Sequence, residues 1–385
     1  MGRFSEALAG SGLGAIAEVK RRSPSAGDLR PDADPAALAA TFERAGAAAV
    51  SILVDDRFGG SLQDLRAARQ AATLPLLAKG FFTEELELLQ AKLAGADAAL
   101  LLLRDVDDAR AHALMMYAAE LGLETLVEAH DKDELERATR LGAPVIGINA
   151  RDLSSFSIDR RAQLELVSRA PRDRLIVAES GIHSRAQGAA AELAGANAVL
   201  VGSALMRAKD PAAKLRMLFA RPLVKVCGLT REEDVAVAAE AGADLAGFIL
   251  AKESPRRAKR VLHVPDTMLS VAVFVEDVAE TRADLVQVYA RENKHRSRDG
   301  ALLRGGERVA TVIDLPWQED DPRHLERARE AQGRVMLAGG LAADNVRGAI
   351  DAVQPWAVDA SSRLEVKPGV KDPDAVRAYV EAAQW

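Results

Sequence analysis

One cysteine, Cys227, stands in 385 residues, so no disulfide can form within the chain and no multi-cysteine zinc motif is available. The six histidines are scattered without metal-binding spacing, and no structural metal is expected. Aromatic residues make up only 4% of the chain, leaving few stacking side chains. Neither sign of charge dominates: 51 basic and 57 acidic residues give a net charge of −6 and are spread along the chain. With no basic stripe to follow a phosphate backbone, nucleic acid is not an expected partner. Apolar stretches such as 98–103 fall far short of the roughly 18 residues a membrane span needs, and no signal-type apolar region opens the chain. The expected location is the cytoplasm, with no membrane contact and a monomeric state left open. What is present is the composition of an ordinary globular protein, 49% hydrophobic and 28% charged. At about 150 residues per domain, the length allows two to three units.

Short β-branched or Leu-rich runs alternate with Ala/Glu/Arg-rich helical stretches throughout, the pattern of βαβ units around a parallel sheet. In the first half this predicts strands at 16–20, 48–54, 75–81, 99–104, 124–130, 145–150, 174–180 and 198–203. Eight strands, each followed by a helix, describe a closed (β/α)8 barrel. An amphipathic helix at 206–222 then closes on Arg221-Pro222, which sets a domain boundary between 1–220 and 221–385. Alternation restarts at 224–228, 245–250, 269–275, 285–290, 309–315, 335–340 and 356–362. That predicts seven strands, hence a second, shortened barrel with the loss in the polar stretch 291–304. The fold class expected is α/β, two tandem (β/α)8 TIM barrels.

The two halves echo each other. Ala178-Glu179-Ser180-Gly181-Ile182, a helix and Val199-Leu200-Val201-Gly202-Ser203 correspond to Leu337-Ala338-Gly339-Gly340-Leu341, a helix and Val358-Asp359-Ala360-Ser361-Ser362. Small-residue turns after the last two strands, opening onto helix N-termini, are how this fold binds a phosphate. A tight strand-to-helix turn needs glycine anyway; repetition at matching positions favours phosphate binding.

Functional groups of such barrels sit at the C-terminal ends of strands. Strand one carries Glu18 and Lys20, alternate residues facing the same way. Strand three ends at Lys79, strand five at Glu128, strand six at Asn149 with Arg151 beyond, and strand seven at Glu179-Ser180. Two lysines and three glutamates spread over four strands form either a structural ion-pair network or a tuned acid/base site. Their number favours the second. His130 and His183 receive no role.

Ile-Ala-Glu-Val-Lys-Arg-Arg-Ser-Pro-Ser (16–25), the Phe58-Gly59-Gly60-Ser61 turn, Leu-Val-Glu-Ala-His (126–130), Gly-Ile-Asn-Ala-Arg-Asp-Leu (147–153), Ala-Glu-Ser-Gly-Ile (178–182) and Leu-Val-Gly-Ser (200–203) resemble the indole-3-glycerol phosphate synthase family, in order, over nearly the whole first half. The resemblance implies decarboxylating ring closure of 1-(o-carboxyphenylamino)-1-deoxyribulose 5-phosphate, with no cofactor. By the same resemblance Lys79 is the principal acid, Lys20 the carboxylate partner and second acid, and Glu128 the base. Glu18, Asn149, Arg151 and Glu179 orient substrate and lysines, while Ser23, Ser180, Gly181, Gly202 and Ser203 hold the phosphate. Three departures stand out. Lys79-Gly80-Phe81 replaces the family's Lys-Asp-Phe, predicting a looser loop. Val54 stands where Thr is usual, in a turn one residue shorter. Only residues 1–15 precede the first strand, where family members carry a helix over the substrate.

In the second half, a lone Cys227 ending a strand reads by itself as a small buried hydrophobe. Its surroundings read otherwise. Lys-Val-Cys-Gly-Leu-Thr (225–230), Gly-Phe-Ile-Leu (247–250), Ser254-Pro255-Arg256, Leu-Ala-Gly-Gly-Leu (337–341), Val-Asp-Ala-Ser-Ser (358–362) and Pro-Gly-Val-Lys-Asp (368–372) resemble the phosphoribosylanthranilate isomerase family, whose product is the substrate implied for the first half. That family performs an Amadori rearrangement. The resemblance makes Cys227 the base, Arg256 the anthranilate contact and Asp314 the nearest candidate acid. Gly339, Gly340, Asp359, Ser361 and Ser362 are the expected substrate-binding positions. Gln287-Val288-Tyr289-Ala290 replaces the family's Gln-Leu-His-Gly, and Arg363 interrupts Ser-Ser-Gly. The expectation is a bifunctional enzyme of tryptophan biosynthesis acting on small phosphorylated anthranilate derivatives. The alternative is a synthase whose C-terminal barrel has lost catalysis.

Overall fold

The computed structural model describes every residue except 1, 11, 24–26, 152–156, 293–294, 316–320 and 385. The chain forms two compact units, Met1–His183 with Gly188–Phe219, and Ser184–Gln187 with Ala220–Trp385. No helix among the described residues is long and apolar enough to cross a membrane.

The first unit is a closed barrel of eight parallel strands: β1 (Gly14–Val19), β2 (Ala49–Leu53), β3 (Leu76–Lys79), β4 (Ala98–Leu102), β5 (Glu124–Ala129), β6 (Val145–Asn149), β7 (Leu175–Glu179) and β8 (Ala198–Val201). Sequence periodicity locates each to within about two residues. Helix α1 (Arg3–Leu8) precedes them, and every strand is followed by a helix: α2 (Pro35–Arg44), α3 (Leu62–Ala71), α4 (Glu85–Leu93), α5 (Asp108–Glu120), α6 (Lys132–Arg140), α7 (Arg160–Arg169), α8 (Arg185–Ala194), then α9 (Ser203–Met206) and α10 (Pro211–Phe219). Side-chain caps start several of them: Asp34, Ser61, Asp107, Asp131 and Asp159 each accept from a backbone N–H of the first turn.

Strand alternation divides the barrel interior into layers. Inward positions near the base are apolar: Ile16, Ala49, Leu77, Leu100, Leu126, Val177 and Leu200 form one buried cluster. Phe4 and Leu8 of α1 join that cluster, fully buried, while Glu124 at the start of β5 accepts from the backbone N–H of Phe4 at 2.8 Å. The helix before the first strand therefore seals the base of the barrel. Two residues further along, the same inward faces carry Glu18, Lys79, Glu128 and Glu179 at the opposite, C-terminal mouth.

The second unit is also a closed eight-stranded barrel: β9 (Leu223–Cys227), β10 (Leu245–Ile249), β11 (Leu269–Val275), β12 (Leu285–Glu292), β13 (His295–Arg304), β14 (Glu307–Ile313), β15 (Val335–Leu337) and β16 (Ala357–Ala360). The sequence predicted seven strands; these are the seven that run parallel. The eighth, β13, lies in the polar stretch taken for a deletion and runs antiparallel to both neighbours. Two hairpins thus replace two helical crossovers, which is how about 165 residues still close an eight-stranded barrel. Among the described residues the helices of this unit's barrel are α11 (Glu232–Ala241), α12 (His324–Glu330), α13 (Val346–Val353) and α14 (Pro373–Gln384), with none between β10 and β14.

Candidate active sites

At the mouth of the first barrel a cavity of about 250 Å³ is lined by Glu18, Lys20, Ser23, Lys79, Glu128, Asn149, Arg151, Ser180, Gly181, Gly202 and Ser203. Of the residues given a site role in the sequence of this half, Glu179 alone is absent from the lining, and it is hydrogen-bonded to Lys79, which lines it. Positions 24, 25, 152 and 153 of the quoted motifs, and 316 and 317 beside Asp314, lie outside the described residues.

Lys79 is the hub. Its Nζ pairs with Glu179 and lies 3.7 Å from Glu128 Oε2 and 3.8 Å from Glu18 Oε2. Burial disfavours the ammonium, yet three carboxylates outweigh it and its pKa moves up. The carboxylates split. Glu18 is buried, but Lys20 at 2.6 Å and Lys79 hold it below the ordinary range. Glu128 is also buried and lies low, near 2, on account of Lys79, His130 and Asn149. Glu179 is pushed up to about 8 by burial and by Glu128, which Lys79 only partly offsets. At neutral pH the set therefore holds a cationic Lys79, two carboxylates and one protonated acid, a division of labour typical of acid/base sites.

Two glycines make this crowding possible. A Cβ on Gly147 would lie 2.2 Å from Glu179 Oε1, and one on Gly202 would lie 2.3 Å from Glu18 Oε1. After β7, Ser180 and Gly181 have φ of 71° and 72°, a turn that aims successive N–H groups outward. The cavity's other wall is apolar, with Leu53, Phe58, Phe81 and Leu200. Phe58 and Phe81 stack with centroids 6.4 Å apart, and the Arg57 guanidinium lies 3.7 Å from the Phe81 ring centre. These aromatic residues were missed because only polar strand-end groups were sought; Phe58 and Phe81 lie within quoted motifs. His183 and Arg207 also line the cavity. Gly80 is buried, and a Cβ there would lie 2.9 Å from Val54 Cγ2.

In the second barrel Cys227 ends β9, buried. Burial pushes its thiol pKa up, Lys225 and Lys371 work against that, and Asp359 adds to it. Lys225, not singled out in the sequence, is completely buried two residues before Cys227 and donates to Asp359 Oδ2 and Gln287 Oε1, each at 2.7 Å. Its pKa moves up because Asp359 and Cys227 outweigh burial. A polar chain continues from there: Gln287 Nε2 donates to the Tyr289 hydroxyl at 2.6 Å, which donates to Asp314 Oδ2 at 2.7 Å. This polar chain links Asp314 to Asp359, and Asp359 also acts electrostatically on Cys227.

Arg256 and Ser361 flank the turn after Cys227. A Cβ on Gly228 would lie 2.8 Å from Ser361 Oγ and 3.3 Å from Arg256 Cδ. Glu365 binds Arg256 at 2.7 Å and Lys371 at 3.0 Å. Gly339 and Gly340 have φ of 97° and 64°, repeating the turn of Ser180 and Gly181. Ser362 opens the short turn Ser362–Leu364, and Arg363 spans from there to the Gly340 carbonyl at 3.2 Å and Asp344 Oδ2 at 2.7 Å. Lys225 and Lys371 sit in quoted motifs, and the inward register of Lys225, two residues before Cys227 on β9, was the available signal.

Two barrels with ionisable groups massed at their C-terminal mouths, and with matching left-handed turns after their penultimate strands, define a tandem TIM-barrel protein. A family model for indole-3-glycerol phosphate synthase matches residues 2–218, and one for N-(5'-phosphoribosyl)anthranilate isomerase matches residues 321–382. The chain belongs to the indole-3-glycerol phosphate synthase family and carries, fused behind that domain, an isomerase domain of the second kind. It is 31% identical over 462 aligned positions to a multifunctional tryptophan biosynthesis protein of Schizosaccharomyces pombe, covering 99% of this chain but 61% of that relative's length. An indole-3-glycerol phosphate synthase 2 of Streptomyces coelicolor is 45% identical over 216 residues, 56% of this chain and 84% of its own. Among solved structures, a phosphoribosyl anthranilate isomerase in complex with reduced 1-(o-carboxyphenylamino)-1-deoxyribulose 5-phosphate is 26% identical, with a TM-score of 0.34, over 43% of this chain and 99% of its own.

Proposed function

We propose that the chain catalyses two consecutive steps of tryptophan biosynthesis. The second unit isomerises N-(5-phosphoribosyl)anthranilate to 1-(o-carboxyphenylamino)-1-deoxyribulose 5-phosphate, and the first closes that product to indole-3-glycerol phosphate with loss of carbon dioxide and water. The observation that carries this reading is one lysine, Lys79, set among three buried carboxylates at a cavity that Lys20 and an aromatic pair also line.

In the ring closure Lys79 donates a proton to the ketone oxygen as the carboxylate-bearing aromatic carbon bonds to the ketone carbon. The bond to the carboxylate then breaks and carbon dioxide leaves. Lys20 holds that carboxylate beforehand and serves as the second acid when the new hydroxyl departs as water. Glu128 accepts the proton released as the indole double bond forms. Glu18, Asn149, Arg151 and Glu179 hold these groups and the substrate in register. Ser23, Ser180, Gly181, Gly202 and Ser203 receive the phosphate, and Phe58 and Phe81 face the anthranilate ring. In the second unit Cys227 takes the proton from C2, Asp314 protonates the ribose ring oxygen, and the C=N bond passes through an enol to the ketone. Arg256 holds the anthranilate carboxylate, and Gly339, Gly340, Asp359, Ser361 and Ser362 form the remaining substrate contacts. The same reading takes the chain to act as a monomer in the cytoplasm.

The test is phosphoribosylanthranilate consumption by the purified protein, followed by anthranilate fluorescence, with Cys227→Ser and Asp314→Asn as controls. Turnover by the wild type and failure of both variants supports a working isomerase site, and formation of indole-3-glycerol phosphate by the wild type supports the ring-closure site as well. An inert wild type that still performs ring closure leaves the synthase reading and removes the isomerase.

A further inference from the structure

The two carboxylate oxygens of Glu128 are not equivalent. Oε1 accepts from Asn149 Nδ2 at 3.0 Å and lies 3.1 Å from His130 Nε2, a charge contact without an aligned hydrogen bond. Oε2 is buried, accepts no hydrogen bond of good geometry among the described residues, and lies 3.7 Å from Lys79 Nζ, while the Glu179 carboxyl is a further hydrogen-bonding neighbour of Glu128. His130 is held from its other side. Its Nδ1 lies 3.0 Å from Glu134 Oε2, and that oxygen also accepts from the His130 backbone N–H at 2.8 Å. Glu134 is fixed in turn by the first turn of α6, where its own N–H donates to the capping Asp131 at 2.8 Å. The imidazole thus sits between two carboxylates with about 14% of its side chain exposed. Burial disfavours its charge, yet the two carboxylates outweigh burial and raise its pKa to about 10.

We propose that His130 is a positioning residue that selects the proton-accepting atom of Glu128: gripped by Glu134, it engages Oε1 together with Asn149 and leaves Oε2, on the Lys79 side, as the base. This rests on the ring-closure reading of the first unit. The physical case is that of any oriented base, in which an outer partner fixes the rotamer and the charge of the group that reacts. The other charged groups facing this triad are Lys79 on β3, Glu18 on β1 and Glu179 on β7, around Glu128, and Arg104 after β4, beside Glu134. None of them contacts Oε1 among the described hydrogen bonds and ion pairs, so His130 and Asn149 decide which oxygen is turned toward Lys79.

The experiment uses the full chain and 1-(o-carboxyphenylamino)-1-deoxyribulose 5-phosphate, with His130→Gln and Glu134→Gln. In His130→Gln, kcat falls about tenfold, part of the roughly 10²–10⁴-fold that a positioned base supplies, while KM stays within about twofold. The acid limb of kcat/KM moves to higher pH, because Glu128 loses the cation that favours its charged form. In Glu134→Gln the alkaline limb moves to lower pH, because His130 keeps only one carboxylate. Titration of carboxyl-13C-glutamate-labelled protein reads the same shift of Glu128 in His130→Gln without requiring turnover. An unmoved Glu128 titration, or a loss of kcat with an unmoved acid limb, overturns the proposal. A wild type that does not turn over, with the Glu128 titration still shifted in the variant, overturns the ring-closure reading and leaves the clamp standing.

Discussion

Val54 Cγ2 occupies the space into which a side chain at position 80 would grow, 2.9 Å from where the Cβ would be built on Gly80. The two residues follow neighbouring strands, and the Val54 N–H donates to the Lys79 carbonyl at 3.0 Å. Both positions depart from the family pattern, losing a hydroxyl and a carboxylate together, and they touch. Gly80→Ala should therefore destabilise the first unit by about 1–3 kcal/mol through overpacking. Val54→Ala in the same chain should recover part of that, with a coupling of about 0.5–3 kcal/mol in a double-mutant cycle. Denaturant unfolding of the four proteins measures it, and strict additivity refutes the contact.

Lys79→Met should abolish ring closure and leave phosphoribosylanthranilate consumption unchanged, since the second site is built from other residues. Removing the shared cation also leaves three buried carboxylates facing one another. They protonate instead of repelling, so the variant should lose stability as pH rises, a trend read from thermal melts at a series of pH values. Simultaneous loss of both activities in a folded variant would contradict independent sites.

The wild type carries two opposite pH dependences in this cluster. Glu179 has a folded pKa of about 8 against an ordinary 4.5. Its contribution is complete below 4.5 and disappears as pH rises through 8. Glu128 lies near 2. Its contribution is complete above 4.5 and disappears as pH falls toward 2. Glu179→Gln should flatten the alkaline side of the stability profile and leave the acid side in place. Equal alkaline slopes in wild type and variant would count against a protonated Glu179.

For the second unit, burial raises the Cys227 pKa above its ordinary 9.0, so the thiolate is scarce at neutral pH. If it is the base, kcat/KM for isomerisation should climb between pH 7 and 9 in proportion to thiolate, and Cys227→Ser should be inert. Lys225→Met removes an ammonium that favours the thiolate and should move the climb further to alkaline pH. A flat profile would assign the proton transfer elsewhere.

Legibility in the sequence follows burial. The eight strands of the first unit lie between helices on both chain sides and read as near-continuous apolar runs, so periodicity found each one. Strand β13 begins His295-Arg296-Ser297-Arg298-Asp299 and pairs antiparallel on both sides, so its polar opening resembled a loop. Its signal was the turn: Gly305 and Gly306 have φ of 56° and 84°, the pair of left-handed residues that a two-residue hairpin requires. In the sites, the charged ends of β1, β3, β5 and β7 were visible because a buried Lys or Glu is costly. Lys225 is less legible, because a lysine in a strand reads as solvent-facing until its buried partner Asp359 is known, although period-two alternation puts it on one face with Cys227. Tyr289 departs from the family motif that the sequence resembles, and only the folded barrel brings its hydroxyl to Asp314.

The hairpins of the second unit also bear on the order in which it assembles. Every parallel neighbour pair must wait for a crossover to close, whereas β13 and β14 meet across the two residues Gly305 and Gly306, and β12 meets β13 across a similarly short connection. Short loops carry a small closure entropy and local pairings form quickly. The meander from Leu285 to Ile313 is therefore the natural first-formed segment of that barrel, a template onto which β11 and β15 dock. Pulse-labelled hydrogen exchange during refolding should find its amides protected ahead of those in β9 and β16, whose pairing joins the two ends of the unit.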